Sequence, residues 1–138
     1  MRVRLNDLQD AFEFVSASDE HQAFLCKQSS KLYYHSNLCD DLDILPEDID
    51  DSEKFLPIPN RRALDLGKPL ALDFARQFLP ADFDEVRYYF NRRGAYARFK
   101  GLLERRGALD QWYDFEAIAE DRALRLWGDL NSIEISDK

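Results

Sequence analysis

QAFLCKQSSKLYYHS, Gln22–Ser36, is the stretch whose reading decides the fold class. Two runs, 22–28 and 31–36, flank the Ser29-Ser30 pair, and the pattern predicts a β-hairpin. A register centred on Ser-Ser sets Cys26 opposite Tyr33 and Phe24 opposite His35. One face then carries Phe24, Cys26, Tyr33 and His35, and the other Ala23, Leu25, Leu32 and Tyr34. Both faces are mostly apolar, so the ribbon is expected to be covered on both sides. Ser-Ser is a poor type I′ turn, so the register rests on side-chain pattern alone. A lone hairpin is marginal in water. It must pack on helices or join strands of another chain.

Working outward, the sequence on either side reads differently. Upstream, Leu8, Ala11, Phe12 and Val15 recur at helical spacing, predicting a helix over 6–16 with Asn6 as its cap. Phe14 lies off that stripe and is expected to rest under the next segment. Downstream, residues 39–53 are an acidic run: Asp40, Asp41, Asp43, Glu47, Asp48, Asp50, Asp51 and Glu53. Leu42, Ile44, Leu45 and Ile49 are interleaved with it and predict a loop or one-turn helix held against the body. Pro57 and Pro59 force an extended stretch.

From residue 60 the chain reads helical. Pro69 opens a helix with Leu70, Phe74, Ala75 and Phe78 on its apolar face. Asp82 with Glu85 has the form of a capping box before Phe83, Val86 and Phe90. A third helix is expected over 95–106, stopped by Gly107. The last runs from an Asp110 cap to about Leu130, with Trp112, Phe115, Ala119, Ala123, Leu126 and Trp127 on one stripe. Ile133 and Ile135 suggest a final extended piece. The prediction is therefore α+β: an N-terminal helix and β-hairpin packed with a mostly helical C-terminal half. The 138 residues read as a single domain, with the helix, hairpin and acidic loop in 1–59 and the helical part in 60–138.

Composition narrows the class. The 45% hydrophobic fraction and ten Phe support a packed core. No stretch approaches the roughly 18 apolar residues of a membrane span, and the N-terminus has no apolar signal region. Two cysteines, Cys26 and Cys39, are too few for a disulfide framework, and the expected location is the cytoplasm. The net charge of −8 argues against generic nucleic-acid affinity.

Against that acidic background stands a basic island. Arg87, Arg92, Arg93, Arg98, Lys100, Arg105 and Arg106 fall within twenty residues that hold one acid, Glu104. The window is net +6, which leaves −14 for the rest of a chain whose total is −8. On the expected third helix Tyr96, Phe99, Leu102, Leu103 and the stem of Arg106 share one face, with Arg98 and Arg105 opposite. Lys100 is placed to pair with Glu104. Arg92 and Arg93 follow the preceding helix, where its dipole favours cations. Three readings of this island stand. It is a solvated face; or it pairs with the acidic run 40–53, within the chain or across a homodimer; or it meets phosphate or nucleic acid, with Tyr96 or Tyr113 stacking on a base. Glu116 shares a helix sector with Trp112 and Trp127. It is expected either at the rim or buried and paired with Lys100 or Arg93.

Gly94-Ala95-Tyr96-Ala97-Arg98-Phe99-Lys100, then Trp112-Tyr113-Asp114-Phe115-Glu116, then Ala123-Leu124-Arg125-Leu126-Trp127 and Ile133 carry a likeness. The order resembles the bacterial uncharacterised protein family 0158, over about residues 20–135. The Leu45-Pro46 to Ile58-Pro59 segment and the Phe74 helix look similar too. Ser29-Ser30 stands where many members have a Gly-containing turn, and Gly128-Asp129 where relatives often carry Cys or a long residue. The resemblance implies kinship and α+β character and no reaction, since the family has no established activity.

Catalytic chemistry finds little purchase. His21, Cys26, His35 and Cys39 are all the His and Cys of the chain. They lack Cys-x2-Cys or His-x3-His spacing, so no metal site is expected, although the hairpin register makes Cys26 and His35 diagonal neighbours. No phosphate-binding glycine loop, nucleophile motif or calcium loop is present, and no cofactor is expected. The function expected is a non-enzymatic interaction or regulatory protein. Its face would be Arg92, Arg93, Arg98, Lys100 and Arg105 with Tyr96, Tyr113 and Glu116. The partner would be an acidic protein surface or a second copy; nucleic-acid or phosphate-ligand binding is the alternative, and an enzyme of unknown reaction ranks last.

Overall fold

In the computed structural model the hairpin forms, and it gains a third strand. β2 (His21–Cys26) pairs antiparallel with β3 (Leu32–Ser36) on one side and with β4 (Phe55–Pro57) on the other. The structure describes residues 1–38 and 42–137. The stretch held extended by Pro57 and Pro59 is thus partly a strand, and β2 is central. Both outer edges are protected. Pro57 in β4 has no N–H to offer, and the Asp43 carboxylate accepts the outward Tyr34 N–H of β3 at 3.0 Å.

The register differs from the expected one by two residues: Phe24 faces Tyr33 and Leu25 faces Leu32. The loop is longer than Ser-Ser. Cys26 N–H donates to Lys31 O at 2.8 Å, and Ser30 N–H donates to Cys26 O at 2.9 Å, with Ser30 at φ 61°. An even slip keeps every side chain on its predicted face. Ala23 and Leu25 are fully buried, and Phe24, Cys26 and Tyr33 on the other face are half-buried.

The described residues divide into two compact units, 1–64 with 123–138, and 65–122. In the first, β1 (Arg2–Arg4) pairs in parallel with β5 (Glu134–Ser136), which is the final extended piece around Ile135. α1 (Leu5–Ala17) follows β1 without a gap, so Asn6 lies inside the helix. Arg4 takes the cap position with no side-chain cap bond. Leu8, Ala11, Phe12 and Val15 are buried as their spacing requires. Phe14, off that stripe, stacks on His21 at 4.2 Å and meets Tyr34 edge-on. Residues 42–54 run as bends and turns. Asp48 pairs with Lys54 at 3.0 Å, and Lys27 Nζ donates to Ser52 O at 2.7 Å.

The second unit holds α2 (Lys68–Phe78), a 3-10 turn over Pro80–Asp82, α3 (Phe83–Tyr89) and α4 (Ala95–Arg105). It also holds the first part of α5 (Leu109–Leu130). Its core is aromatic: the Phe74 ring lies 4.9 to 6.5 Å from the rings of Phe78, Phe99, Trp112 and Phe115. Gly107 closes α4 as expected. At φ 65° it lets its own N–H reach Glu104 O and the Ala108 N–H reach Leu103 O at 2.8 Å.

Two helix starts differ from expectation. Asp82 and Glu85 make no capping box, because the Asp82 carboxylate turns to Arg106 and Glu85 accepts from the Tyr89 hydroxyl. Asp110 lies in the first turn of α5 and is not its cap. On α5, Trp112 and Leu124 are fully buried, Phe115, Ala119, Ala123 and Trp127 are half-buried, and Leu126 is 58% exposed. One continuous stripe does not describe a helix whose two ends belong to different units. Among the described residues no helix is long and apolar enough to cross a membrane.

Candidate functional site

α3 and α4 present the basic island. Residues 90–94 turn the chain between them, and Gly94 at φ 74° supplies the left-handed conformation that side chains resist. α4 buries Phe99, Leu102 and Leu103, which leaves Arg98, Lys100 and Arg105 on the outer side as its period dictates. Tyr96 is half-buried, with its ring edge-on to Phe90 at 5.6 Å.

The seven cations divide by what they meet. Arg106 holds Asp82 through two hydrogen bonds of 3.0 Å each. That bidentate pair keeps the Asp82 carboxyl below its ordinary range and raises the guanidinium. Arg87 faces Asp84 at 4.0 Å, both well exposed. These two are neutralised locally. Arg105 folds back over Gly101 and approaches the Tyr89 hydroxyl at 3.5 Å. Tyr89 in turn donates to Glu85 at 2.6 Å, which raises the phenol's pKa. Arg92 lies over the Tyr88 ring at 4.6 Å, and Lys100 over the Tyr113 ring at 5.7 Å. Arg93 and Arg98 are exposed and, among the described residues, make no ion pair and no side-chain hydrogen bond. Among the described residues, five of the seven therefore keep their charge free of a carboxylate.

One expected pairing is not made among the described residues. Lys100 turns to Tyr113 and away from Glu104, because the ring lies within reach of its long stem. Glu116 is half-buried on α5. Tyr113 is 44% exposed and Tyr88 48% exposed. Tyr88 was not singled out by sequence; its i, i+4 spacing to Arg92 was the available signal. Tyr96, by contrast, turns its ring to Phe90 and offers less face to a ligand than Tyr113 does.

The three described candidates for a zinc site, His21, Cys26 and His35, do not converge. With Cys26 opposite Lys31, His35 is about 13 Å away along the ribbon and no diagonal neighbour, at roughly 3.3 Å per residue. His21 lies on the opposite face. Its Nδ1 donates to Phe14 O at 2.8 Å, and His35 Nε2 meets Asn37 Oδ1 at 3.3 Å. Cys39 lies outside the described residues. Hydrogen bonding from the Ser29 side chain holds the Cys26 thiol below its ordinary range. Among the described residues no group of three or more His, Cys, Asp or Glu side chains is arranged to hold a metal ion.

No family model, curated protein or solved structure matches this chain.

Proposed function

We propose that the outer face of α3 and α4 is a docking surface for an acidic protein and that the chain acts as a non-enzymatic interaction or regulatory module. The observation that carries this reading is Arg93 and Arg98: exposed guanidinium groups that meet no acid among the described residues, on a stretch that also holds Arg92 and Lys100, which rest on exposed tyrosines. Arginine and tyrosine together are the residues that contribute most at interfaces. Charge without an internal partner is available for one outside. The kinship with uncharacterised family 0158 and a bacterial cytoplasmic setting belong to the same proposal and add no reaction.

Fluorescence anisotropy with labelled decaglutamate tests the reading. Binding should weaken between about 20 and 200 mM salt as the charges are screened. It should vanish in Arg93→Glu/Arg98→Glu, a variant that touches no internal contact. Salt-insensitive binding, or none, would overturn it. The exposed Tyr113 ring favours one second reading, base stacking on single-stranded nucleic acid. Retention of labelled oligo(dT) with no decaglutamate binding would select that reading instead.

A further inference from the structure

We infer that the acidic partner of the α3–α4 face is a second copy of this chain, through the segment that runs from Asp43 to Glu53; the inference rests on the docking surface proposed above. The charge of the molecule is segregated. Residues 65–122 carry ten basic and eleven acidic residues, net −1, so the other unit carries −7 of the total of −8. Within that acidic unit the described part of the run begins at the edge of the sheet beside β3, where the Asp43 carboxylate accepts the Tyr34 N–H.

The chemistry of this segment matches the basic face in kind. Ile44 is 93% exposed, a β-branched apolar side chain left in water between carboxylates. Glu47 and Asp50 are exposed and, among the described residues, have no cationic partner, while Asp48 is taken by Lys54. The basic face offers the complement: Arg93 and Arg98 without acids, and the rings of Tyr88 and Tyr113 half in water as apolar contacts. Each molecule thus carries one patch of each kind. A second copy offers each patch its complement, and the dimer proposed is the closed two-fold form in which both contacts are made at once. Complementary charge sets the orientation, and Ile44 against a tyrosine face supplies the non-polar part of the contact.

Complementary charge reversal tests this with the full chain. The acidic patch is reversed in Glu47→Lys/Asp50→Lys and the basic patch in Arg93→Glu/Arg98→Glu. Among the described residues all four positions lack internal side-chain partners, so circular dichroism should match wild type. Light scattering coupled to gel filtration in low salt should show wild type at twice its monomer mass and each variant as a monomer. An equimolar mixture of the two variants should recover the dimer, and so should the chain carrying all four changes. Wild type that stays monomeric while still binding decaglutamate overturns the second copy as partner and leaves the docking surface standing. Failure of both measurements removes both. Dimers that persist unchanged in the separate variants place the self-contact elsewhere and also overturn the inference.

Discussion

At the scale of single residues, the second unit depends on one ring. Phe74 is fully buried and contacts four other aromatic rings, three of them edge-on. Phe74→Ala removes those contacts and leaves a cavity, and should cost about 3–5 kcal/mol in urea denaturation. Asp82 governs an acid-sensitive contact. Its folded pKa is lowered below the ordinary value of 3.8 by Arg106, so the pair stabilises the fold fully above that value and loses its effect as pH falls through the lower folded value. The melting temperature of Arg106→Gln should lie below wild type at neutral pH, and the gap should close as pH falls through the lowered folded pKa of Asp82, where the carboxylate becomes protonated in both states. The effect will be small, because the guanidinium is half in water. Sequence suggested a cap for Asp82. The structure gave its carboxylate to a guanidinium twenty-four residues away, which a local motif cannot foresee.

At the scale of elements, helix ends follow local rules where glycine is present and strain against them where it is not. α4 and α5 end in the same motif. Gly107 at φ 65° closes one, and Ser132 at φ 59° closes the other, with Ile133 N–H reaching Gly128 O at 2.8 Å. The left-handed conformation costs a non-glycine residue about 1 kcal/mol. Ser132→Gly should therefore raise stability by about 0.5 kcal/mol, and Gly107→Ala should lower it by about 1 kcal/mol, in paired denaturation curves. Gly107 was legible as a stop for this reason, whereas Ser132 carries no such signal. Gly128 makes a further constraint visible only in three dimensions. A Cβ there would lie 2.7 Å from Ile135 Cδ1, so a side chain at 128 would force the Ile135 side chain to shift. The hairpin shows a similar division. Alternation assigned each residue to its face, but the four-residue loop Lys27–Ser30 set the pairing, and serine in a left-handed turn leaves no mark in composition.

At the scale of the molecule, charge segregation gives salt two opposing effects. A unit of net −7 repels itself, and screening relieves that strain. At protein concentrations low enough to keep the chain monomeric, the melting temperature should rise by a few degrees between about 10 and 200 mM NaCl, as the Debye length falls from roughly 30 to 8 Å. Self-association through the basic face should weaken over the same range. A melting temperature that falls with salt at high dilution would contradict the repulsion argument.

Periodicity and charge, both local properties of the chain, determined the helices, the faces of the hairpin, the α+β class and the position of the basic island. Tertiary structure decided the rest: that Phe55–Pro57 completes a sheet, that Arg2–Arg4 meets Glu134–Ser136 across nearly the whole chain, and that Asp82 and Asp84 each take one cation while Arg93 and Arg98 meet no acid among the described residues. The reason is range. A helix face is set by neighbours three and four residues apart, whereas strand pairing and ion pairing depend on which distant residues the packed core brings within a few ångströms.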